Sequence, residues 1–206
     1  MADRFLRAYR ISSLNWKFMS DSAIASRLKE IGRVFADAAE SGYAQSIAAA
    51  AQAIGDALAR GNKLLIFGNG GSAADAQHIC GELVVRFERD RRPLPAIALT
   101  CDASVLTACA NDYAYTEVFA RQIEALGVAG DVALGISTSG TSTNVIRGFK
   151  VAKSHGMVTI LITGPGRSSN SCDLVLAAPG CNTARVQELH LATYHLICEI
   201  LDARFS

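Results

Sequence analysis

Residues 63–75 read Lys-Leu-Leu-Ile-Phe-Gly-Asn-Gly-Gly-Ser-Ala-Ala-Asp. The run 63–67 is strand-sized, and its apolar residues are consecutive rather than alternate, the pattern of a strand covered on both faces. The glycine turn behind it leads straight into residues of helical character, so the segment reads as strand, tight turn and helix. Four further strand-like runs follow at 94–99, 132–136, 158–162 and 174–177. The stretches between and after them predict helices at 72–88, 102–110, 115–126, 142–154 and 184–203. Upstream, 22–40 and 43–60 are Ala-rich with apolar residues three and four apart, punctuated by Gly42. The expectation is an α/β protein: a three-layer α/β/α sandwich on a five-stranded parallel sheet, preceded by two N-terminal helices. Residues 1–20 fit poorly and are read as an N-terminal extension, or as what precedes a true start at Met19, ahead of one domain over 21–206.

Composition excludes several classes of function. The chain has 206 residues, half of them apolar, and a net charge of +1. That charge is too small to mark a nucleic-acid or anionic-lipid surface, so neither is expected as a partner. The apolar runs fall far short of the ~20 residues that cross a bilayer. The N-terminus lacks the order of a secretory signal, so a cytoplasmic location is expected. Cys80, Cys101, Cys109, Cys172, Cys181 and Cys198 stand singly, without a C-x-x-C pair, and read as reduced, mostly buried thiols.

In an open parallel sheet ligands bind beyond the carboxyl ends of the strands, so the loops there matter most. After the first strand comes Gly68-Asn69-Gly70-Gly71-Ser72, where the backbone can approach an anion or a sugar closely. After the third comes Ser137-Thr138-Ser139-Gly140-Thr141-Ser142-Thr143-Asn144, a row of small and hydroxyl-bearing residues entering a helix. Free N–H groups, short hydroxyls and the positive end of a helix dipole suit a phosphate. Simple N-capping would also explain a Ser or Thr there, although six hydroxyls exceed that need. Gly68-x-Gly70-x-x-Ala73 meets a relaxed dinucleotide fingerprint, but the acidic residue expected ~20 positions on has no convincing candidate.

Two helices carry groups able to do chemistry. His78 and Glu82 are four residues apart and share a helix face. In the C-terminal helix Gln187, His190 and His195 interrupt an apolar stripe; Gln187 and His195 are offset by ~80° about the axis, which places them at two sides of any cleft they line. Imidazole, carboxylate and amide oxygen suit a borderline cation such as zinc, while each histidine alone reads equally well as a hydrogen-bonded helix residue.

These blocks, together with Asn111-Asp112-Tyr113, resemble the phosphoheptose isomerases of the sugar isomerase (SIS) superfamily, in order and at compatible spacing over roughly residues 20–203. The resemblance implies one SIS domain over 21–206, a homotetramer, one zinc ion per subunit, and isomerisation of sedoheptulose 7-phosphate to D-glycero-D-manno-heptose 7-phosphate for lipopolysaccharide core. It implies zinc on His78, Glu82, Gln187 and His195, and phosphate on Ser137, Thr138, Ser139 and Ser142. Asn69, Gly70, Gly71, Ser72, Asn111, Asp112 and Gln187 would complete the sugar pocket. Glu82 and His195 are the expected acid/base pair for an enediol route. A sister branch, similar in fold but binding a replication-initiation partner, lacks acid/base residues at those two positions, so a non-catalytic sugar-phosphate-binding regulator is the alternative. One departure stands out: Ala184 occupies a position, three before Gln187, where some members carry an acidic residue.

Overall fold

A computed structural model describes residues 20–166, 172–180 and 182–206. The expected extension over 1–20 lies outside the described residues except for Ser20, and so does Cys181. The chain divides into two compact units, one reaching Arg33 and one over Val34–Ser206, with the first helix, α1 (Asp21–Glu40), running across the division.

The second unit continues with α2 (Tyr43–Ala59), β1 (Leu64–Gly68), α3 (Gly71–Val84), β2 (Ala96–Ala98), α4 (Ala103–Asp112), a single 3-10 turn at Tyr115–Glu117 and α5 (Ala120–Leu126). Then come β3 (Val132–Ser137), α6 (Thr143–Ser154), β4 (Val158–Thr163), β5 (Leu174–Ala177) and α7 (Thr183–Phe205). The five strands form one parallel sheet in the order β2-β1-β3-β4-β5. The expected α/β/α architecture is present, and the consecutive apolar residues are the reason. Leu64, Ile66, Leu134, Ile136, Ile160 and Ile162 enter a core shared with α2, α3 and α7. Their neighbours Leu65, Phe67, Ala133 and Leu161 enter a second core with Val145 and Phe149 of α6 and Ile123 of α5. Phe67 lies at the centre of this second layer, 5.3 Å from the Phe119 ring and 5.4 Å from Phe149.

Three element boundaries depart from the sequence expectation. β2 is three residues rather than 94–99. Pro93 and Pro95 have no N–H to give to a ladder, and the Leu94 N–H donates instead to the Leu83 carbonyl at 3.0 Å. α3 stops at Val84 rather than reaching 88, because the Arg91 guanidinium takes the carbonyls of Glu82 (2.7 Å) and Leu83 (2.8 Å). The helix expected over 115–126 is broken at Val118-Phe119, whose side chains are both buried in the second core.

The same Arg91 makes a fully buried ion pair with Asp202 of α7, Nε to Oδ1 at 2.6 Å. The other carboxylate oxygen accepts the N–H groups of Glu88 (2.8 Å) and Arg89 (2.9 Å). Burial alone would raise the Asp202 carboxyl, but these donors and the Arg91 charge together hold it below the usual carboxylate range. The stabilisation is therefore present above the unfolded carboxyl's pKa and is lost as pH falls through the lower folded value. Asp202→Ala, which strands a buried guanidinium, is expected to cost about 3–5 kcal/mol in urea denaturation. For Asp202→Asn, the Tm gap to the parent should be full near about pH 6 and should narrow below about pH 4; a gap constant with pH would contradict the pairing.

Candidate functional site

The order β2-β1-β3-β4-β5 reverses direction between β1 and β3, and the crevice at such a switch point is where α/β sheets bind ligands. The two loops singled out in the sequence leave those two strands. Gly70 holds φ at 57°, which an L side chain rarely adopts, and its carbonyl starts α3 by accepting from Ala73 at 3.0 Å. The loops are fastened to each other by a reciprocal amide pair. Asn69 Nδ2 donates to Asn144 Oδ1 at 2.9 Å, and Asn144 Nδ2 donates to Asn69 Oδ1 at 2.8 Å. The Tyr115 hydroxyl adds a third bond, to Asn69 Oδ1 at 3.1 Å.

The hydroxyl loop does not spend its side chains on capping. Ser142 is the N-cap residue of α6, yet its hydroxyl makes no bond to the helix and meets Ser137 Oγ at 2.9 Å. By contrast Asp102 caps α4 through the Ser104 and Val105 N–H groups, and Asn182 caps α7 through the Arg185 N–H. Ser139 is exposed and accepts from the Thr141 N–H (3.2 Å) and hydroxyl (3.0 Å). Thr138 contributes its carbonyl to the Gly164 N–H at 3.1 Å. The Ser137, Ser139 and Ser142 hydroxyls therefore bond within the loop rather than to the N–H groups of α6.

Along α3, two turns beyond the glycine loop, His78, Glu82 and His195 converge: one ligand atom from each lies within 4.8 Å of the others. His78 Nε2 is 2.9 Å from Glu82 Oε1. The His195 ring stands edge-on to His78 at 5.1 Å and Tyr194 at 5.0 Å, with Phe87 at 5.3 Å. Its Nε2 is buried without a hydrogen-bond partner among the described residues. A buried ring nitrogen left unpaired costs about 1–3 kcal/mol, so this atom invites a ligand. Two imidazoles and a carboxylate form a donor set that fits a divalent transition metal, and the orphaned nitrogen strengthens that fit.

The remaining expected residues are more dispersed. The Gln187 amide nitrogen lies over Gly71, where an added Cβ would come within 2.7 Å of it, so the side chain stands beside the glycine turn. Ser72 is buried beneath Gly68. Asn111 and Asp112 bond to each other at 2.8 Å at the exposed end of α4, and Asp112 lines a groove of about 650 Å³ shared with α5 and β2. His190 is fully buried; burial lowers its pKa against a smaller opposing effect of the Thr163 backbone, so it is a neutral core residue. Burial also pushes the Cys80 and Cys198 thiols up to about 12, which leaves neither as a thiolate at neutral pH.

Sequence reasoning passed over Asp75 and Tyr194. The Tyr194 hydroxyl sits 3.0 Å from His78 Nδ1 and 3.4 Å from Asp75 Oδ1. Burial lifts the Asp75 carboxyl above its usual range, although the Tyr194 hydrogen bond and the His78 charge pull the other way. Asp75 could have been found by its place one turn before His78; Tyr194, inside an apolar stripe, carried no such signal.

Comparison with known proteins identifies the family. The SIS domain profile matches residues 28–164. The phosphoheptose isomerase of Aquifex aeolicus is 49% identical over 183 residues, which is 85% of this chain and 96% of that one. The chain belongs to the phosphoheptose isomerase family of SIS-domain proteins. The family's Roseiflexus member is 53% identical over 161 residues, covering 77% of this chain and 82% of its own. Two phosphoheptose isomerase structures superpose closely. That from Neisseria gonorrhoeae has a TM-score of 0.81 at 38% identity over 88% of this chain and 98% of its own. That from Francisella tularensis has 0.82 at 36%, over 88% and 97%.

If Ser142 serves a ligand rather than the helix, Ser142→Ala should cost at most about 0.5 kcal/mol in urea denaturation, against about 1 kcal/mol for Asp102→Ala. Equal costs would return Ser142 to a capping role.

Proposed function

We propose that the chain converts sedoheptulose 7-phosphate to D-glycero-D-manno-heptose 7-phosphate by moving the carbonyl from C2 to C1. The observation that carries this reading is the convergence of the Glu82 carboxylate and the His195 imidazole on one point of α3. The helix rises about 10 Å between Gly71 and His78. A seven-carbon sugar with phosphate at one end and carbonyl at the other spans a distance of that order, so the glycine and hydroxyl loops would hold the remote end.

In this mechanism Ser137, Thr138, Ser139, Ser142 and the α6 N-terminus hold the phosphate. Asn69, Gly70, Gly71, Ser72, Asn111 and Asp112 shape the sugar pocket. Glu82 takes the proton from C1 while His195 gives one to O2, leaving a cis-enediol. A proton returned at C2, with O1 giving up its own, completes the aldose. His78, Glu82 and His195, with Gln187 as a fourth ligand, would hold one zinc ion per subunit. Bound there, zinc would supply Lewis-acid polarisation of the carbonyl and the adjacent hydroxyl. Glu82 would then divide its time between ligand and base.

The reading extends to a cytoplasmic homotetramer feeding lipopolysaccharide core, with residues 21–206 as its single SIS domain behind an N-terminal extension. No described helix is long and apolar enough to cross a membrane. An apolar groove of about 180 Å³ lined by the last turns of α1, by α2 and by α7, and edged by the exposed Phe35 and Leu196, supports association of copies.

Glu82→Gln should reduce kcat at least ~10³-fold, with substrate binding by calorimetry nearly unchanged. Near-native turnover would remove Glu82 from the chemistry. Ser139→Ala combined with Ser142→Ala should instead raise KM, because a remote phosphate is bound alike in ground and transition states. A loss confined to kcat would contradict the phosphate assignment. Carbonyl position, followed by NMR on sedoheptulose 7-phosphate with and without chelator, tests the reaction; binding without conversion would favour a regulator.

A further inference from the structure

We infer that Tyr194 and Asp75 form the outer support of the metal site, with the Tyr194 hydroxyl fixing His78 through Nδ1 and Asp75 fixing that hydroxyl. The inference rests on the metal reading of His78, Glu82 and His195.

An imidazole that ligates through one nitrogen needs a lone pair there, so the single proton of its neutral form must sit on the other. In His78 the nitrogen facing Glu82 is Nε2, at 2.9 Å; as the ligating atom it would leave the proton on Nδ1. That nitrogen meets the Tyr194 hydroxyl at 3.0 Å. A phenol oxygen can accept the Nδ1 proton while its own proton turns to an acceptor, and Asp75 Oδ1 stands 3.4 Å away. The phenol also serves the other tautomer, donating to Nδ1 when Nε2–H points at Glu82. Phenylalanine can do neither.

The placement is built rather than incidental. Tyr194 is 1% exposed, so its hydroxyl cannot settle for bulk water. Its ring packs edge-on to both histidines, at 5.3 Å from His78 and 5.0 Å from His195. Asp75 lies one turn before His78 on α3, and Tyr194 precedes His195 on α7, so each ligand-bearing helix supplies one member of the support. Outer partners of this kind fix ring orientation and tautomer and raise ligand basicity, and their loss typically costs 10–100-fold in metal affinity.

The test is zinc affinity of the full chain, stripped with chelator and titrated in competition with a chromophoric chelator. Tyr194→Phe should bind zinc about 10–100-fold more weakly, while the stripped protein melts within about 4 °C of the parent. Asp75→Ala should weaken zinc as well. Asp75→Asn, which keeps an oxygen for the tyrosine proton, should restore much of the loss. Should Tyr194→Phe fail to fold, Asp75→Ala at its half-buried position carries the same measurement. Parent-like zinc binding by both Tyr194→Phe and Asp75→Ala overturns the inference while leaving the metal reading intact. A parent chain that takes up no zinc overturns the metal reading and the inference with it.

Discussion

Two helices lying side by side and pointing the same way hold this molecule's chemistry in register. Gln187, Tyr194 and Asp202 of α7 meet Gly71, His78 and the segment just after α3 in turn, so contacts advance along both helices together. The lower end is fastened by Arg91, which grips two carbonyls of α3 and the Asp202 carboxylate of α7 at once. A buried ion pair is weak evidence of stability in general, but here every polar atom of the carboxylate is engaged and the pair sets which turns face each other. Slippage by one turn would move the His195 ring about 5.4 Å along α3 and separate it from Glu82.

The sheet supplies the second constraint. Because the chain runs from β1 to β2 on one side and then crosses back to β3 on the other side of β1, the ends of β1 and β3 flank the switch point. Helices α3 and α6 start there, both with positive dipole ends toward the crevice. The anion site proposed near the switch point and the proton chemistry proposed two turns along α3 would thus share one scaffold.

Much of this was legible in the sequence, for physical reasons that differ by element. The five strands were visible because burial on both faces leaves consecutive apolar residues, and the two loops were visible because glycines and hydroxyls are rare in such density. The pairing of His78 with Glu82 followed from helical periodicity. His195 beside them did not, since no spacing relates α7 to α3; only the family resemblance supplied it. The ends of α3 and β2 were misjudged because a distant arginine and two prolines, rather than local propensity, decide them. Asp75 and Tyr194 stayed hidden for a similar reason: a tyrosine in an apolar stripe reads as core until its hydroxyl's neighbours are known. The Gln187 amide over Gly71 likewise depends on the packing of two helices, which no local pattern encodes.

The reciprocal amides of Asn69 and Asn144 have a mechanical consequence. Each side chain satisfies the other's donor and acceptor, and the Asn144 oxygen additionally accepts the Val145 N–H at 3.0 Å. The turns leaving β1 and β3 are therefore pinned into a single body that tilts or stays as a whole. A ligand seated on either turn would also stiffen the other, so the two turns would act as one binding surface instead of two.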